Sequence, residues 1–428
     1  MDETVIEIYR DGQWLPAATL APLTDERARV DYLPDYIFSD QPWPVSLTLP
    51  VGFAPVADEP GPRGAPSFLY DLVPQGRGRR LLVEMLGLRD HDGLLLPLLM
   101  AGAFNPIGAL RVTSAVAFYR DYARRNPPLA GSEDGFTRED LASRDERVLE
   151  HLSTHAMLAS GTTGVQGVSP KFLLTEDRHG QLHADLALDD TLAGRHWLVK
   201  GPRNRSAADR QVLRNEAAYL HVAADCGLRV HQPEAIVHSD ELLFLPRFDR
   251  RTGPQGVQRL HQESLASLSG LRGFGAPCRQ GDLLHALRRH ASDPLAETVE
   301  FLRRDVLNLA MRNTDNHARN HAVQRLPDGR IQLTPLFDFA PMYLDPEFIP
   351  RSVHWADAAD VRLHEWRDVL PSLHLPAGEL AAVTQAMADF APTVARLPER
   401  MEARGVDATI VEACRHAIDG QVRQLEAL

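Results

Sequence analysis

The 428-residue chain has little cysteine and no long apolar segment. Its three cysteines, Cys226, Cys278 and Cys414, lie far apart and form no CxxC pair, which argues against both a disulfide framework and a structural zinc site. The longest apolar run covers residues 94–104 and contains Pro97, so it is too short to span a bilayer. These absences favour an ordinary globular protein.

Positive charge is also scarce. Lys and Arg total 46 against 58 Asp and Glu, which gives a formal net charge of −12. Because non-specific binding to DNA requires clustered cations, we expect protein partners, including basic proteins that themselves touch DNA. The first residues, Met1-Asp2-Glu3-Thr4, are acidic where a signal peptide is basic, so the sequence predicts a cytoplasmic protein.

The most informative residues are Asp315, Asn320 and Asp338. Four residues separate Asp315 from Asn320, and Asp338 follows eighteen residues later in Leu336-Phe337-Asp338-Phe339, where we expect it to close a short strand. In phosphoryl transfer an Asp orients the substrate hydroxyl, while an Asn and a second Asp hold the magnesium ions that bridge the nucleotide phosphates. The spacing therefore favours an ATP-dependent kinase, with Asp315 as the catalytic residue and Asn320 and Asp338 as metal ligands.

The segments that precede this motif follow the chain order of a protein kinase. A glycine-rich segment at 160–170 is followed by a strand ending at Lys200, a helix carrying Glu216, and a hairpin leading into Pro246-Arg247-Phe248. Lys200 is predicted to neutralise phosphates, with Glu216 as its candidate partner. The glycine spacing is neither a Walker A motif nor the Gly-x-Gly-x-x-Gly of common kinases, and a plain flexible turn is the alternative interpretation.

Other interpretations of single residues compete with this one. His317 and His321 lie four residues apart and could share one helix face in a zinc enzyme, but Ala318 stands where such enzymes have Glu. A strand-end lysine is commonly a solvated cation. A solvated helix face is likewise the commoner explanation for the basic set Arg203, Arg205, Arg210 and Arg214. Arg247 and Arg250 are more specific, since they frame the end of the hairpin.

Local patterns predict the secondary structure. We expect strands at 4–9, 46–49, 108–112, 172–175 and 196–200, a hairpin at 235–245, and helices at 77–86, at 206–226 and from Pro294 to the Asp315 loop. Residues 120–136 are polar and rich in turn formers, which indicates a connector, and Thr137 is a candidate helix N-cap. Beyond residue 357 the pattern is helical.

With these motifs the chain resembles the HipA family, the bacterial serine/threonine kinase toxins of type II toxin–antitoxin systems. The resemblance covers nearly the whole chain. The segments that carry it are 44–50, 68–74, 108–110, 167–171, 198–200, 215–216, 247–250, 313–320 and 335–338.

The resemblance implies an α+β, two-lobed protein-kinase-like fold, similar to phosphoinositide-type kinases. Its expected parts are an N-terminal α+β subdomain (1–112), a connector with a helix (113–150), nucleotide-binding small-lobe elements with a hinge (151–250), and a mostly helical C-terminal catalytic lobe (251–428). The implied cofactors are ATP and Mg²⁺. The implied partners are a protein substrate with a Ser or Thr hydroxyl and a small DNA-binding, HipB-like antitoxin, with DNA touched only through that antitoxin.

The resemblance also assigns residues. Asp315 is the implied base, and Asn320 and Asp338 are the implied magnesium ligands. The implied ATP-binding residues are Gly164, Gly167, Val168, Ser169, Lys171, Lys200, Pro246, Arg247, Phe248, His317 and Phe337.

The chain departs from the family's pattern in its glycine-rich loop and at one further position. Ser169 stands where the family commonly has Gln, Ser264 stands where it commonly has Asp, and the family's regulatory serine aligns near Thr163 or Gly164. The candidate phosphorylation sites are Ser160, Thr162, Thr163 and Ser169. The rival hypothesis is a catalytically silent module that binds the antitoxin and modulates repression, against which the intact Asp315, Asn320, Asp338 and Lys200 argue.

Overall fold

The computed structural model describes residues 2–53, 65–126, 134–143, 148, 171–202, 207–254, 256–273, 275–345 and 349–428. The chain divides into two compact units. The first comprises residues 1–203 and 244–273, and the second comprises residues 204–243 and 274–428. Within the described ranges, no helix is both long enough and apolar enough to cross a membrane.

The first unit begins with an antiparallel sheet in the order β3-β2-β1-β4. Its strands are β1 (Thr4–Arg10), β2 (Gln13–Pro22), β3 (Ala28–Tyr32) and β4 (Leu110–Val112). Asp11 and Gly12 both have positive φ, 49° and 82°, as in the two-residue turns that match the twist of paired strands. Ile6 and Ile8 are fully buried, so the period-two pattern places one face of β1 in the core.

The core of this sheet also takes in residues from four helices. They are α1 (Pro34–Ile37), α2 (Gly76–Met85), α3 (Leu95–Gly102) and α4 (Thr113–Arg125). The apolar run at 94–104 is thus mostly a buried core helix. The connector expected to start at 120 is wrong up to residue 125, because α4 continues to that point and Tyr119 stacks on Phe104 with ring centroids 4.3 Å apart.

A second sheet holds the elements expected of a kinase small lobe. Its strands include β5 (Lys171–Asp177), β6 (Leu182–Ala184) and β7 (Ala193–Lys200), with β5 between β6 and β7. Farther along the chain, β8 (Val237–Ser239) is followed by β9 (Leu242–Pro246). Helix α5 (Arg138–Ser143) begins at a capping box, in which Thr137 Oγ1 accepts from Asp140 N and the Asp140 carboxylate accepts from Thr137 N. The strands and the N-cap predicted here are confirmed.

The rest of the first unit follows β9 in the sequence. Strands β10 (Arg250–Gly253) and β11 (Gly256–Arg259) form an antiparallel hairpin. Strand β12 (Gln262–Ser264) runs into the short helix α7 (Leu265–Leu268), which Ser264 caps by accepting a hydrogen bond from Ser267 N.

The second unit is mainly helical. Its helices are α6 (Ala207–Asp225), α8 (Gln280–His290), α9 (Pro294–Ala310), α10 (Trp366–Ser372), α11 (Ala377–Ala388), α12 (Ala391–Ala395), α13 (Leu397–Ala403) and α14 (Ala408–Glu426). Short strands connect them: β13 (Cys278–Arg279) is parallel to β16 (Val353–His354), and β14 (Ala322–Arg325) is antiparallel to β15 (Ile331–Leu333). The predicted helical pattern beyond residue 357 is confirmed.

Two predicted strands are wrong. Residues 46–49 form a tight turn, in which Leu49 N donates to Ser46 O. Residues 336–339 have no regular secondary structure, because Asp338 adopts a positive φ of 50° that a strand does not accommodate. The alternation of residue types was similar to that of a strand in both cases, but the buried polar side chains Ser46 and Asn313 hold these segments by other bonds.

Candidate active site

The Asp315 loop starts where α9 ends. This helix begins with Pro294 in its first turn, and its cap Asp293 accepts a hydrogen bond from Ala296 N. It ends at Met311, after which Arg312 takes a positive φ of 55° and turns the chain out of the helix. Asn313 donates to Asn308 Oδ1 at 2.9 Å, so the first residue of the loop is tied to the last turns of α9.

Asn320 and Asp315 are brought together inside this loop. Asn320 Nδ2 donates to the main-chain oxygen of Asp315 at 2.7 Å. The other amide atom, Asn320 Oδ1, is buried and has no hydrogen-bond partner among the described residues. A buried oxygen without a donor is unusual in a folded protein, and a bound cation is one way to satisfy it.

A buried carboxylate on α9 also hydrogen-bonds the Asp315 loop. Asp305 is fully buried and accepts from Asn316 Nδ2 at 3.1 Å. Asn316 Oδ1 in turn lies 2.7 Å from His321 Nε2, and because an amide oxygen only accepts, that histidine nitrogen is the donor. Burial is the main reason that the pKa of His321 is lowered to about 3, and the positive charge of Arg304 lowers it further, so the imidazole is neutral.

The two loop histidines do not form a metal pair. Only Ala318–Asn320 is helical, as one turn of 3₁₀ helix, so His317 and His321 do not share an α-helical face. His317 Nε2 lies 3.6 Å from Asp315 Oδ1, whereas His321 bonds Asn316. Among the described residues, no group of three His, Cys, Asp or Glu side chains is arranged to hold a metal ion.

The turn that contains Asp338 contacts the start of the Asp315 loop and packs on α6. Asn313 Nδ2 lies 3.4 Å from Asp338 O, which connects the start of the Asp315 loop to this residue. The next residue, Phe339, is buried against Tyr219 with ring centroids 5.3 Å apart. Phe337 precedes it and is half-buried. Within the second unit, Asn320 thus contacts Asp315, and Asn313 at the start of the same loop contacts the main chain of Asp338.

The predicted phosphate-binding lysines lie in the first unit. Lys171 opens β5 and Lys200 closes β7, and the two residues are directly paired across these antiparallel strands. Both side chains are buried. Directly paired residues project from the same face of a sheet, so two ammonium groups lie on one side of its end. Two buried lysines thus share one end of this sheet.

The predicted hinge contains a buried ion-pair cluster. Arg247 donates to Asp185 Oδ2 at 2.7 Å and to both carboxylate oxygens of Asp249, at 2.9 and 2.7 Å. Arg250 also donates to Asp249, at 2.5 Å. The main chain of Arg247 is bonded as well, since Arg247 N donates to His196 O at 2.9 Å. The Arg247 side chain and its main-chain N–H are therefore both engaged within the protein.

Electrostatics within this cluster hold every member charged. Burial disfavours the Asp249 carboxylate, but the Arg247 and Arg250 guanidinium groups outweigh it and hold the Asp249 pKa well below its usual range. Asp185 behaves likewise beside Arg247 and His196, and its pKa is also strongly lowered. For Arg250, burial and the charge of Arg247 lower the pKa to about 9.

The remaining predicted residues have other surroundings. Glu216 is buried on α6. Arg210 and Arg214 of the basic set pair with Glu241 and Asp407, at 2.8 and 2.5 Å, rather than presenting unpaired cations. The described ranges do not include Ser160, Thr162, Thr163, Gly164, Gly167, Val168, Ser169, Arg203 or Arg205.

Models of two protein families match the chain. The HipA N-terminal domain matches residues 8–113, and the HipA-like C-terminal domain matches residues 163–403, which is more than half of the sequence. The chain belongs to the HipA family.

Its sequence identity to individual similar proteins is low, but the matches cover most of the chain. “Putative kinase Y4dM” of Sinorhizobium fredii is 26% identical over 353 residues, which are 78% of this chain and 76% of that protein. A chain from the HipA, HipB and operator DNA complex of the Shewanella oneidensis MR-1 toxin–antitoxin system is 19% identical, with a TM-score of 0.64 over 99% of this chain and 97% of that one. This likeness confirms the two-lobed, kinase-like α+β fold.

A third similar structure matches a shorter part of this chain. The Helicobacter pylori proinflammatory kinase CtkA is 15% identical and matches 54% of this chain and 87% of its own, with a TM-score of 0.36.

In this HipA-family chain, the N-terminal motifs have a structural role. Glu263 on β12 accepts from Ser46 Oγ at 2.6 Å and from Leu47 N at 2.8 Å, within the 44–50 segment. The next residue, Ser264, donates from its main-chain N and its hydroxyl to the Asp71 carboxylate, within the 68–74 segment. An Asp in place of Ser264 would set two carboxylates against each other, so Ser264 suits Asp71 here.

Sequence reasoning missed the buried acids that support these sites. Asp185, Asp305 and Glu263 are each almost fully buried, and each accepts several hydrogen bonds. One signal was available for Asp305: it lies three residues after Leu302 and four before Leu309, on the apolar face of α9, where a solvated acid is not expected. Asp185 and Glu263 lie in short polar segments with no such signal.

Proposed function

We propose that this HipA-family protein is an ATP- and magnesium-dependent serine/threonine protein kinase and the toxin of a toxin–antitoxin pair. The observation that carries the proposal is the Asn320 side chain, which binds the Asp315 main chain through its N–H and leaves a buried oxygen without a partner. A kinase places a base and a metal ligand side by side in this way.

The residues of the second unit would handle the reacting groups. Asp315 would orient the Ser or Thr hydroxyl of the substrate and accept its proton, with His317 beside its carboxylate. Asn320 Oδ1 and the Asp338 carboxylate are hard oxygen donors, so they fit Mg²⁺. Magnesium bound there would neutralise charge on the nucleotide phosphates.

The residues of the first unit would bind the nucleotide. Lys171 and Lys200 would contact its phosphates, because their paired positions put two buried cations on one side of the sheet end. Pro246 and Phe248 would contact adenine through main-chain groups, since the N–H of Arg247 is already bonded to His196 O. Gly164, Gly167, Val168 and Ser169 would cover the phosphates, as the family resemblance implies.

A partner protein would supply DNA binding. The complex from Shewanella contains HipA, HipB and operator DNA. We propose a corresponding small basic antitoxin for this chain, because the chain's own net charge of −12 opposes contact with phosphates.

The test is transfer of labelled γ-phosphate from ATP to protein by the purified chain, with magnesium present. We expect transfer by the wild type and a loss of about 10²- to 10⁴-fold in Asp315→Ala. Asp328→Ala is the matched control, because it removes an exposed carboxylate from the same unit. Wild-type protein that binds ATP but transfers no phosphate to itself, to bacterial lysate proteins or to its neighbour-encoded partner would refute the kinase and favour the silent antitoxin-binding module.

A further inference from the structure

The second unit contains a cavity of about 190 Å³ that is separate from the residues proposed for catalysis. It lies between the end of α9, the β16 region and the start of α10. The segment 355–363 closes one side as a small hairpin, in which Leu363 N donates to Trp355 O and Asp357 N donates to Val361 O. None of its ten lining residues is among those proposed to bind ATP, to hold magnesium or to orient the substrate hydroxyl.

One wall of the cavity is aromatic. Trp355 and Trp366 are packed edge to face with ring centroids 6.0 Å apart. Their polar atoms are already used, since Trp355 Nε1 donates to Asp305 at 2.7 Å and Trp366 Nε1 donates to Gln421 at 2.9 Å. The two indoles therefore offer only apolar ring surface to the cavity, and the buried Val353 and Val369 also border it.

The polar lining is basic. Arg351, His354, Arg362 and His364 all border the cavity, and none of the lining residues is acidic. Arg362 and His364 are exposed, whereas Arg351 is partly buried. Arg351 Nε donates to Val353 O at 3.0 Å, and its Nη2 pairs with Asp305. Its remaining nitrogen, Nη1, is buried and has no hydrogen-bond partner among the described residues. An unsatisfied buried guanidinium nitrogen calls for an acceptor.

We propose that this cavity binds a small organic anion, a carboxylate or phosphate monoester carried on one aromatic ring or a body of similar size. The anion would accept from Arg351 Nη1 and lie beside Arg362 and His364, while its body would pack on the tryptophans. The volume sets the size, because it is below the roughly 300–1,000 Å³ of pockets for drug-sized ligands. This inference goes beyond the proposed kinase activity and does not depend on it.

Calorimetric titration with four probes separates the two features of the ligand. Phenyl phosphate and benzoate have both a charge and a ring, inorganic phosphate has only the charge, and benzyl alcohol has only the ring. We expect one-to-one binding of phenyl phosphate or benzoate, with a Kd of about 0.1–1 mM. Inorganic phosphate and benzyl alcohol should bind at least about tenfold more weakly, because each lacks one half of the contacts. Absence of binding by both ring anions would overturn the proposal.

Substitutions then locate the bound probe. The double variant Arg362→Gln with His364→Gln should raise the Kd about two- to fivefold, as expected for exposed charges. Arg351→Lys should raise it about tenfold, because a lysine has no second nitrogen to donate while the first pairs with Asp305. Arg367→Gln is the control: it removes an exposed charge from α10, the helix that begins at the cavity residue Trp366, but Arg367 itself does not line the cavity. It should leave the Kd unchanged.

Two outcomes would show that the anion binds elsewhere. If the double variant and Arg367→Gln have the same Kd as the wild type, the cavity is not the site. If Asp338→Asn weakens phenyl phosphate as much as the double variant does, the probe occupies the proposed nucleotide site. The double variant changes only exposed side chains, so it decides the question even if Arg351→Lys unfolds.

Discussion

Asn320 donates its side-chain amide to the main-chain carbonyl of Asp315 at 2.7 Å. Because a carbonyl oxygen only accepts, the amide nitrogen must face Asp315, and the orientation of the whole group follows. The amide oxygen is then the atom left without a partner. One residue thus positions the proposed base and offers an oxygen for the proposed metal.

Asn320→Asp should separate these two roles. The carboxylate keeps an oxygen for magnesium but cannot donate to Asp315 O, so the base loses its positioning contact. We expect magnesium-dependent nucleotide binding to stay within about threefold of the wild type, and phosphate transfer to fall about 100-fold, as small misplacements of reacting groups do. Titration calorimetry and labelled-phosphate transfer measure the two effects.

The matched control is Asn126→Asp. Asn126 is exposed and also donates its amide to a main-chain carbonyl, that of Tyr122. It should change neither quantity. Equal losses of binding and transfer in Asn320→Asp would contradict a positioning role that is distinct from metal binding.

Asp338→Asn should weaken the magnesium-dependent part of nucleotide binding. The amide removes a negative charge from a hard-cation site and replaces only one of two oxygen ligands. We expect ATP affinity in magnesium to drop toward the metal-free value, whereas the metal-free affinity changes little. Calorimetry with and without magnesium tests this, with Asp328→Asn as an exposed control. A metal dependence equal to that of the wild type would count against Asp338 as a ligand.

Helix α9 shows what periodicity can predict. Leu302, Val306 and Leu309 predict one apolar face, and Pro294 predicts its start, because each feature is local to the chain. The loop after it was placed correctly for the same reason. Asp338 was expected in a strand, and its positive φ could not be read from Leu336-Phe337-Asp338-Phe339. In the fold, Asn313 contacts Asp338 O and Phe339 packs on Tyr219, and no local sequence pattern encodes these contacts.

Arg247→Met should destabilise the protein strongly. The guanidinium is buried between Asp185 and Asp249, and its loss leaves two buried carboxylates with one cationic partner fewer. Breaking a buried pair in this way costs about 3–5 kcal/mol of the free energy of unfolding. Arg330→Met is the control, because the Arg330–Asp328 pair is exposed and should contribute at most about 1 kcal/mol. Urea unfolding measures both, and similar midpoints for the two variants would refute the assigned role of the cluster.

DNA binding should require a partner. The chain carries a net charge of −12, Arg247 and Arg250 are buried in ion pairs, and Arg210 and Arg214 pair with Glu241 and Asp407. Mobility-shift titrations at near-physiological salt should show no specific complex with the chain alone, and a complex once a small basic protein encoded beside it is added. Tight, sequence-specific binding by the isolated chain would contradict this.

Long-range polar contacts account for what sequence reasoning missed. Glu263 bonds Ser46 and Leu47, more than 200 positions away, and no local pattern connects these segments. The family resemblance marked 44–50 and 68–74 as motifs without a reason for them. The structure supplies the reason, since both segments bind the adjoining residues Glu263 and Ser264.

Glu263 should make stability depend on pH. Burial raises the pKa of this carboxyl to about 7, although Ser267, Ser46 and Leu47 donate to it and favour its charged form. Its value in the unfolded chain is near 4.5. The folded protein therefore binds the proton more tightly, so the stabilising contribution is complete below about pH 4.5 and is lost as the pH rises to about 7.

In the Glu263→Gln variant the side chain at position 263 is neutral at every pH, so comparison with the wild type isolates the effect of Glu263. The free energy of unfolding of the wild type minus that of the variant should fall by about 3 kcal/mol between pH 4.5 and pH 8, because the carboxyl has a pKa of about 7 in the folded protein and near 4.5 in the unfolded chain. Urea unfolding at a series of pH values measures the difference, and Glu399→Gln reports the effect of removing an exposed carboxyl. A constant difference between the wild type and Glu263→Gln across this range would mean that the Glu263 carboxyl stays ionised between Ser46, Leu47 and Ser267.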